Sequence, residues 1–142
     1  MLHVRTLVVD DFSSFRRRVC WMLEENPEVR LIGEAADGAE AVQKAVEFQP
    51  DLILLDSDLP KLSGIEAARQ IRKVVPKSKL LFVSQDSNLE VVQAAFHLGA
   101  RGYVIKSDAA RELLTAVKAV IQGAQYVSRA LAGLDLTDAA SD

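Results

Sequence analysis

The chain has 142 residues, enough for one domain that buries a core without disulfides or metal. Its 49% hydrophobic and 26% charged composition is that of an ordinary globular protein, and a net charge of −3 argues against direct nucleic-acid binding, which calls for a basic footprint. The single cysteine, Cys20, excludes an internal disulfide, and no apolar run reaches the length of a membrane span or marks a signal peptide, so the expected compartment is the cytoplasm.

Two kinds of segment alternate along the chain. The first strand is expected in "RTLVVD", followed by a helix near residues 13–25, where Phe15, Val19, Met22 and Leu23 share a face. Cys20 falls in this helix beside Trp21 and is read as packing rather than as a reactive thiol. Arg16, Arg17 and Arg18 give the same helix a basic patch, read as a solvated face. A second strand is expected in "VRLIGEA", then a weaker helical pattern over 38–49. The third strand is "DLILLD". It leads to a helix over 64–75 marked by Ile65, Ala68, Ile71 and Val75. The fourth is "KLLFVS", with a weak helical pattern over 88–98, and the fifth is "RGYVIK". A last helix over 108–122 has Ser107 or Asp108 placed to cap its start and Gly123 to end it. The remainder, "AQYVSRALAGLDLTDAASD", lacks a long apolar period and reads as a linker or frayed end.

Five strands alternating with five helices imply a parallel α/β sheet covered on both faces, and the unbroken apolar runs agree with doubly buried strands. In such a sheet all the carboxyl ends lie on one edge, where ligands bind at the topological switch point. Four of the five strands end there in chemistry. Asp10 and Asp11 follow the first strand, Asp56 the third, Ser84 the fourth and Lys106 the fifth. With the strand order 2-1-3-4-5, Asp10, Asp11 and Asp56 converge, and Ser84 and Lys106 approach from the other side.

Two carboxylates about 4 Å apart repel by on the order of 4 kcal/mol at an effective dielectric near 20. Lys106 supplies one offsetting charge, and a divalent cation is the natural second source. Oxygen ligands without His or Cys point to Mg²⁺. A carboxylate, a hydroxyl and an ammonium around one vacant position suit a phosphoryl group, with Asp56 as nucleophile and Lys106, Ser84 and the cation spreading the developing charge. Taken singly, each residue has a plainer reading: a helix cap, a loop acid, a solvated lysine. Their joint placement carries the signal.

At these residues the chain closely resembles the receiver domain of two-component response regulators. The resemblance rests on "LVVDDFSSFRR", "AADGAEA", "PDLILLDSDLPKLSGIEA", "LLFVS" and "GYVIKS", covering about residues 4–122. It implies a flavodoxin-like fold with the strand order above, a receiver domain over 1–123 and a linker or tail over 124–142. It implies that Asp56 is the phosphoacceptor, served by a sensor histidine kinase, and that Asp10, Asp11, Asp56 and the backbone carbonyl of Asp58 hold Mg²⁺. Ser84 matches the switch hydroxyl, Lys106 the phosphate-pairing lysine and Tyr103 the aromatic whose position reports the state. Pro60 and Gly64 match the turn out of the third strand. Phosphorylation is then expected to alter the face formed by the fourth helix, fifth strand and fifth helix, which binds a partner or a second receiver as a homodimer. Two departures stand out: Gln85 where the family has a very small residue, and acids at Asp58 and Asp86.

The tail "GAQYVSRALAG…LT" resembles the linker to a LuxR-type helix-turn-helix output domain, which makes transcription the expected output and the chain a fragment of a longer regulator rather than a stand-alone receiver. This chain itself is expected to bind neither DNA nor membrane. Two rivals remain: a pseudo-receiver that is never phosphorylated, and a haloacid-dehalogenase-type phosphatase using Asp56 and Asp58, a motif that family carries on its first strand.

Overall fold

The computed structural model describes residues 3–133. Its elements, in order, are β1 (Val4–Val9), α1 (Ser13–Glu24), β2 (Val29–Ala35), α2 (Gly38–Phe48), β3 (Leu52–Leu55), α3 (Gly64–Val74), β4 (Lys79–Ser84), α4 (Leu89–His97), β5 (Gly102–Ile105), α5 (Ala109–Ile121) and β6 (Tyr126–Val127). All strands run parallel in one sheet of order β2-β1-β3-β4-β5-β6. The five strands and five helices thus fall where the apolar runs place them, in the expected order.

The sheet separates two cores, and the strands divide their side chains between them by simple alternation. Leu7, Val9, Ile53, Leu55, Leu80, Phe82 and Tyr103 face α2, α3 and α4, whose Ala45, Ile71 and Val92 close that side. Val8, Leu52, Leu54, Leu81, Val83 and Val104 face α1 and α5, meeting Val19, Leu23, Leu113 and Val117. The interior strands β3 and β5 are buried along their whole length, which is why they read as unbroken apolar runs.

The sixth strand was not expected. The tail read as a linker or frayed end instead turns back and pairs with β5, Gly102 opposite Tyr126 and Tyr103 opposite Val127. Its Ser128 is fully buried, donates its backbone N–H to the Tyr103 carbonyl at 2.9 Å and accepts the Ile105 N–H on Oγ at 2.9 Å. Leu131 is buried in the α2–α4 side of the core. Tyr126 donates its hydroxyl to the largely buried Glu112 of α5 at 2.8 Å. Residues 134–142, the rest of that tail, lie outside the described residues.

Helix starts follow local chemistry in three cases. Asp37, Ser63 and Asn88 each accept a backbone N–H of the first turn, at α2, α3 and α4. The start of α5 differs from expectation. Lys106–Asp108 forms a short 3₁₀ turn that leads into the helix, and the Asp108 side chain makes no cap. The helix ends at Ile121 with Gly123 at φ +90°, the left-handed position that favours glycine.

Candidate functional site

The alternation that sorts the core continues past the strand ends and sorts the site. Asp10, Asp56 and Lys106 each lie two residues beyond Val8, Leu54 and Val104, and so carry on the α1–α5 side. Ser57 and Ser84 lie two residues beyond Leu55 and Phe82 and carry on the other side, with Tyr103. The carboxyl edge therefore holds two clusters: acids with a lysine, and hydroxyls.

In the first cluster, Asp10 and Asp56 are almost fully buried, and both place Oδ2 at 2.8 Å from the Lys106 ammonium. Their remaining oxygens accept backbone N–H groups, Asp10 Oδ1 from Phe12 at 2.9 Å and Asp56 Oδ1 from Asp58 at 3.1 Å. Asp11 is exposed. Ligand oxygens of Asp10, Asp11 and Asp56 nonetheless lie within 4.8 Å of one another. Two carboxylates share one lysine and a third lies beside them, an excess of negative charge that a hard divalent cation would relieve, and the donor set is all oxygen. The residues present fit such an ion. Burial raises the Asp10 pKa against the pull of Lys106 and the Phe12 N–H. For Lys106, burial acts to lower the pKa, but the two carboxylates outweigh it and the ammonium is held above its ordinary value.

The Lys106 ammonium is further walled by aromatic rings, 4.7 Å from the Phe15 centroid and 5.2 Å from that of Phe12. Sequence reading gave Phe15 only a core role and passed over Phe12. The spacing from Asp10 was the available signal, because the first turn of α1 must begin beside that residue. Arg16 was read as part of a solvated patch and is not. Its guanidinium donates to the Asp10 carbonyl at 2.5 Å and to Glu34 at 2.8 Å, while Arg17 and Arg18 are exposed as expected.

In the second cluster, Ser84 Oγ lies 2.7 Å from Ser57 Oγ and accepts the Asp86 N–H at 3.1 Å. Tyr103 is fully buried, stacked on Phe82 with centroids 5.9 Å apart, and donates its hydroxyl to the Asp86 carbonyl at 2.7 Å. Burial raises its pKa, with hydrogen bonds to Ser84 and Ser57 pulling the other way. Ser57 was not singled out in the sequence.

Between the clusters an open cleft of about 450 Å³ is lined by Asp11, Phe12, Asp56, Asp58, Leu59, Pro60, Ser84 and Gln85. Of the three residues that depart from the family pattern, Asp58 and Gln85 line the cleft. Asp86 does not, and its carboxylate instead accepts the Asn88 N–H at 2.9 Å. The loop floor is set by Gly64, whose N–H donates to the Ser57 carbonyl at 2.9 Å.

A parallel sheet with this acid–lysine–hydroxyl edge defines a receiver. The chain belongs to the response regulator receiver domain family, whose match covers residues 6–118. Among curated proteins it is 33% identical, over 92% of its length, to the transcriptional regulatory protein LiaR of Bacillus subtilis (strain 168). It is 36% identical, over 89% of its length, to the transcriptional activator protein ExaE of Pseudomonas putida. It spans 62% and 59% of those two proteins' own length. Among solved structures, a LuxR-family two-component response regulator from Aurantimonas sp. SI85-9A1 superposes with a TM-score of 0.88 at 31% identity, covering 99% of both chains. The receiver domain of the putative response regulator NarL from Mycobacterium tuberculosis gives 0.81 at 31% identity, covering 87% of this chain and 99% of that one. The chain is therefore a two-component receiver of LuxR type. Among the described residues no helix is long and apolar enough to cross a membrane.

Proposed function

We propose that this receiver is a phosphorylation switch in which Asp56 accepts a phosphoryl group from the phosphohistidine of a sensor kinase. The observation that carries this reading is the pairing of Asp56 and Asp10 to one buried lysine at 2.8 Å, at the floor of an open cleft. A carboxylate oxygen of Asp56 attacks phosphorus in line, the P–N bond breaks, and the electron pair leaves on the histidine nitrogen. The product is an acyl phosphate on Asp56. Lys106 then turns from carboxylate to phosphoryl oxygen, and Ser84 donates a hydrogen bond to another.

Asp10, Asp11, Asp56 and the backbone carbonyl of Asp58 would hold Mg²⁺, which when bound neutralises charge on the transferred oxygens. Phe12 and Phe15 keep water from one side of Lys106 and fix its direction. Recruitment of Ser84 favours a second conformation, to which Tyr103 responds, and the face formed by α4, β5 and α5 carries the change to a partner or to a second receiver. The output is transcription, through a partner or an attached domain rather than direct contact of this acidic chain with DNA, and the setting is cytoplasmic. The receiver domain read over residues 1–123 takes in the following segment as well, through β6 and the buried Ser128 and Leu131.

The test is intact mass after incubation with acetyl phosphate, with and without Mg²⁺, beside Asp56→Asn. One phosphoryl group is expected on the wild type, lost without Mg²⁺ and absent from the variant. A folded protein that forms neither this adduct nor a beryllofluoride complex would be a pseudo-receiver. Turnover of an external phosphomonoester would favour the phosphatase reading.

A further inference from the structure

Ser84 is already engaged. Its side chain is fully buried, its oxygen accepts the Asp86 N–H, and its nearest side-chain partner is Ser57 Oγ at 2.7 Å. Ser57 directly follows Asp56 yet faces the other cluster, since its hydroxyl meets Ser84 while the Asp56 carboxylate meets Lys106. It cannot serve the face where Asp56 meets Lys106. At 6% exposure a buried hydroxyl there costs desolvation unless it is paired, and its hydrogen-bond partner is the Ser84 hydroxyl.

We propose that Ser57 is a positioning residue that holds Ser84 in the resting arrangement, so that the bond between the two serines opposes recruitment of Ser84 to a phosphoryl group on Asp56. This rests on the reading of Asp56 as phosphoacceptor and Ser84 as switch hydroxyl. Ser84 lines the cleft with Asp56, so a turn about its own χ1 is the required motion. That turn breaks the serine–serine bond. It leaves Ser57 with the Tyr103 hydroxyl as the neighbouring oxygen, and the three hydroxyls rearrange together. Alanine at 57 removes the resting partner without touching the phosphoryl face. The resting state then loses a hydrogen bond that the activated state does not use, and the equilibrium moves toward activation.

The experiment uses the full chain with Mg²⁺ and beryllofluoride as a non-hydrolysing mimic of the acyl phosphate, with the apparent dissociation constant read by fluorine NMR titration. Ser57→Ala is expected to tighten beryllofluoride roughly two- to tenfold, the worth of one ordinary hydrogen bond. In a Ser84→Ala background the same substitution is expected to change nothing, because the bond it removes is already gone. A general loosening of the β3 end would persist in that background, so the cycle separates positioning from packing. If Ser57→Ala does not fold, Ser57→Cys keeps the site filled, with a slightly larger atom and only a weak donor, and carries the same expectation. Unchanged or weaker binding, or an equal shift with Ser84 absent, overturns the proposal while leaving the phosphoacceptor reading intact. Failure of the wild type to bind beryllofluoride overturns both.

Discussion

Gly64 stands so close to Asp56 that a Cβ on it would come within 1.7 Å of the Asp56 carbonyl oxygen and within 2.7 Å of Ser57 Cα. The first turn of α3 is thus pressed against the backbone that ends β3, and the approach is backbone on backbone, with no flexible side chain to yield. Alanine is the better helix former by about 1 kcal/mol, so a site governed by propensity would be stabilised by Gly64→Ala. The contact decides otherwise. Gly64→Ala is expected to lose about 1–3 kcal/mol, the usual cost of overpacking, and to weaken uptake of phosphoryl group or beryllofluoride by shifting Asp56. Urea unfolding followed by circular dichroism checks the first part, and a raised midpoint would refute it.

The Lys106 ammonium lies between Asp10 and Asp56, both buried. Lys106→Ala strands two carboxylates without a cation, and removal of one partner from a buried ionic group typically costs about 3–5 kcal/mol. Its pH dependence is distinctive. Burial already holds the folded Asp10 pKa above its unfolded value, and without Lys106 that shift grows. Asp10 of the folded variant then holds its proton to higher pH than in the unfolded chain, so this group's contribution to stability grows as pH falls from neutrality, against the opposite contributions of Asp37 and Glu40 at lower pH. Unfolding midpoints at pH 7 and pH 5 test this, together with partial rescue by Mg²⁺ at pH 7.

Tyr126 joins the sixth strand to α5 through Glu112, and burial followed by that hydrogen bond raises its pKa from 10.0 to about 12. An acid with a raised folded pKa contributes stability that is complete below its unfolded pKa. Here that contribution is lost as pH climbs from about 10 through about 12. Wild type is therefore expected to lose stability faster than Tyr126→Phe between pH 9 and pH 11, the gap between them narrowing. Parallel thermal melts would show it, and a constant gap would count against the contact.

Cys20 sits at 8% exposure on the inner face of α1, with its thiol pushed up to about 11, chiefly by burial. At pH 8 almost no thiolate is present. Iodoacetamide is expected to leave the native protein unmodified over hours and to label it fully in denaturant, with mass spectrometry as the readout.

Much of the site could be read from the sequence because parallel strands deliver their chemistry at their ends. Once "LILLD" is a doubly buried strand, Asp56 has only one place to be, and the same holds for Asp10 after "LVV" and Lys106 after "YVI". What escaped reading depends on side-chain reach and on closure across the chain. Phe12 and Arg16 acquire their roles from the angle at which α1 leaves β1, which no periodicity encodes. Ser57 looks like a spacer between two aspartates until β4 brings Ser84 alongside. The sixth strand is two residues long, too short for any pattern, and its partner is β5 only because α5 returns the chain there. Ser128 is among the most deeply buried polar residues, yet nothing in "YVSRAL" marks it as such.

That short strand also determines where a mechanical load would fall. Because β6 runs parallel to β5, the chain leaves it on the same edge as Lys106, and tension applied beyond residue 133 would act in shear along the few bonds that tie Tyr126 and Ser128 to Arg101, Tyr103 and Ile105. The outermost of them, from the Ile105 N–H to Ser128 Oγ, bears on the residue immediately before Lys106. With Leu131 anchored in the core beyond it, that bond ties the C-terminal segment to the backbone next to the lysine.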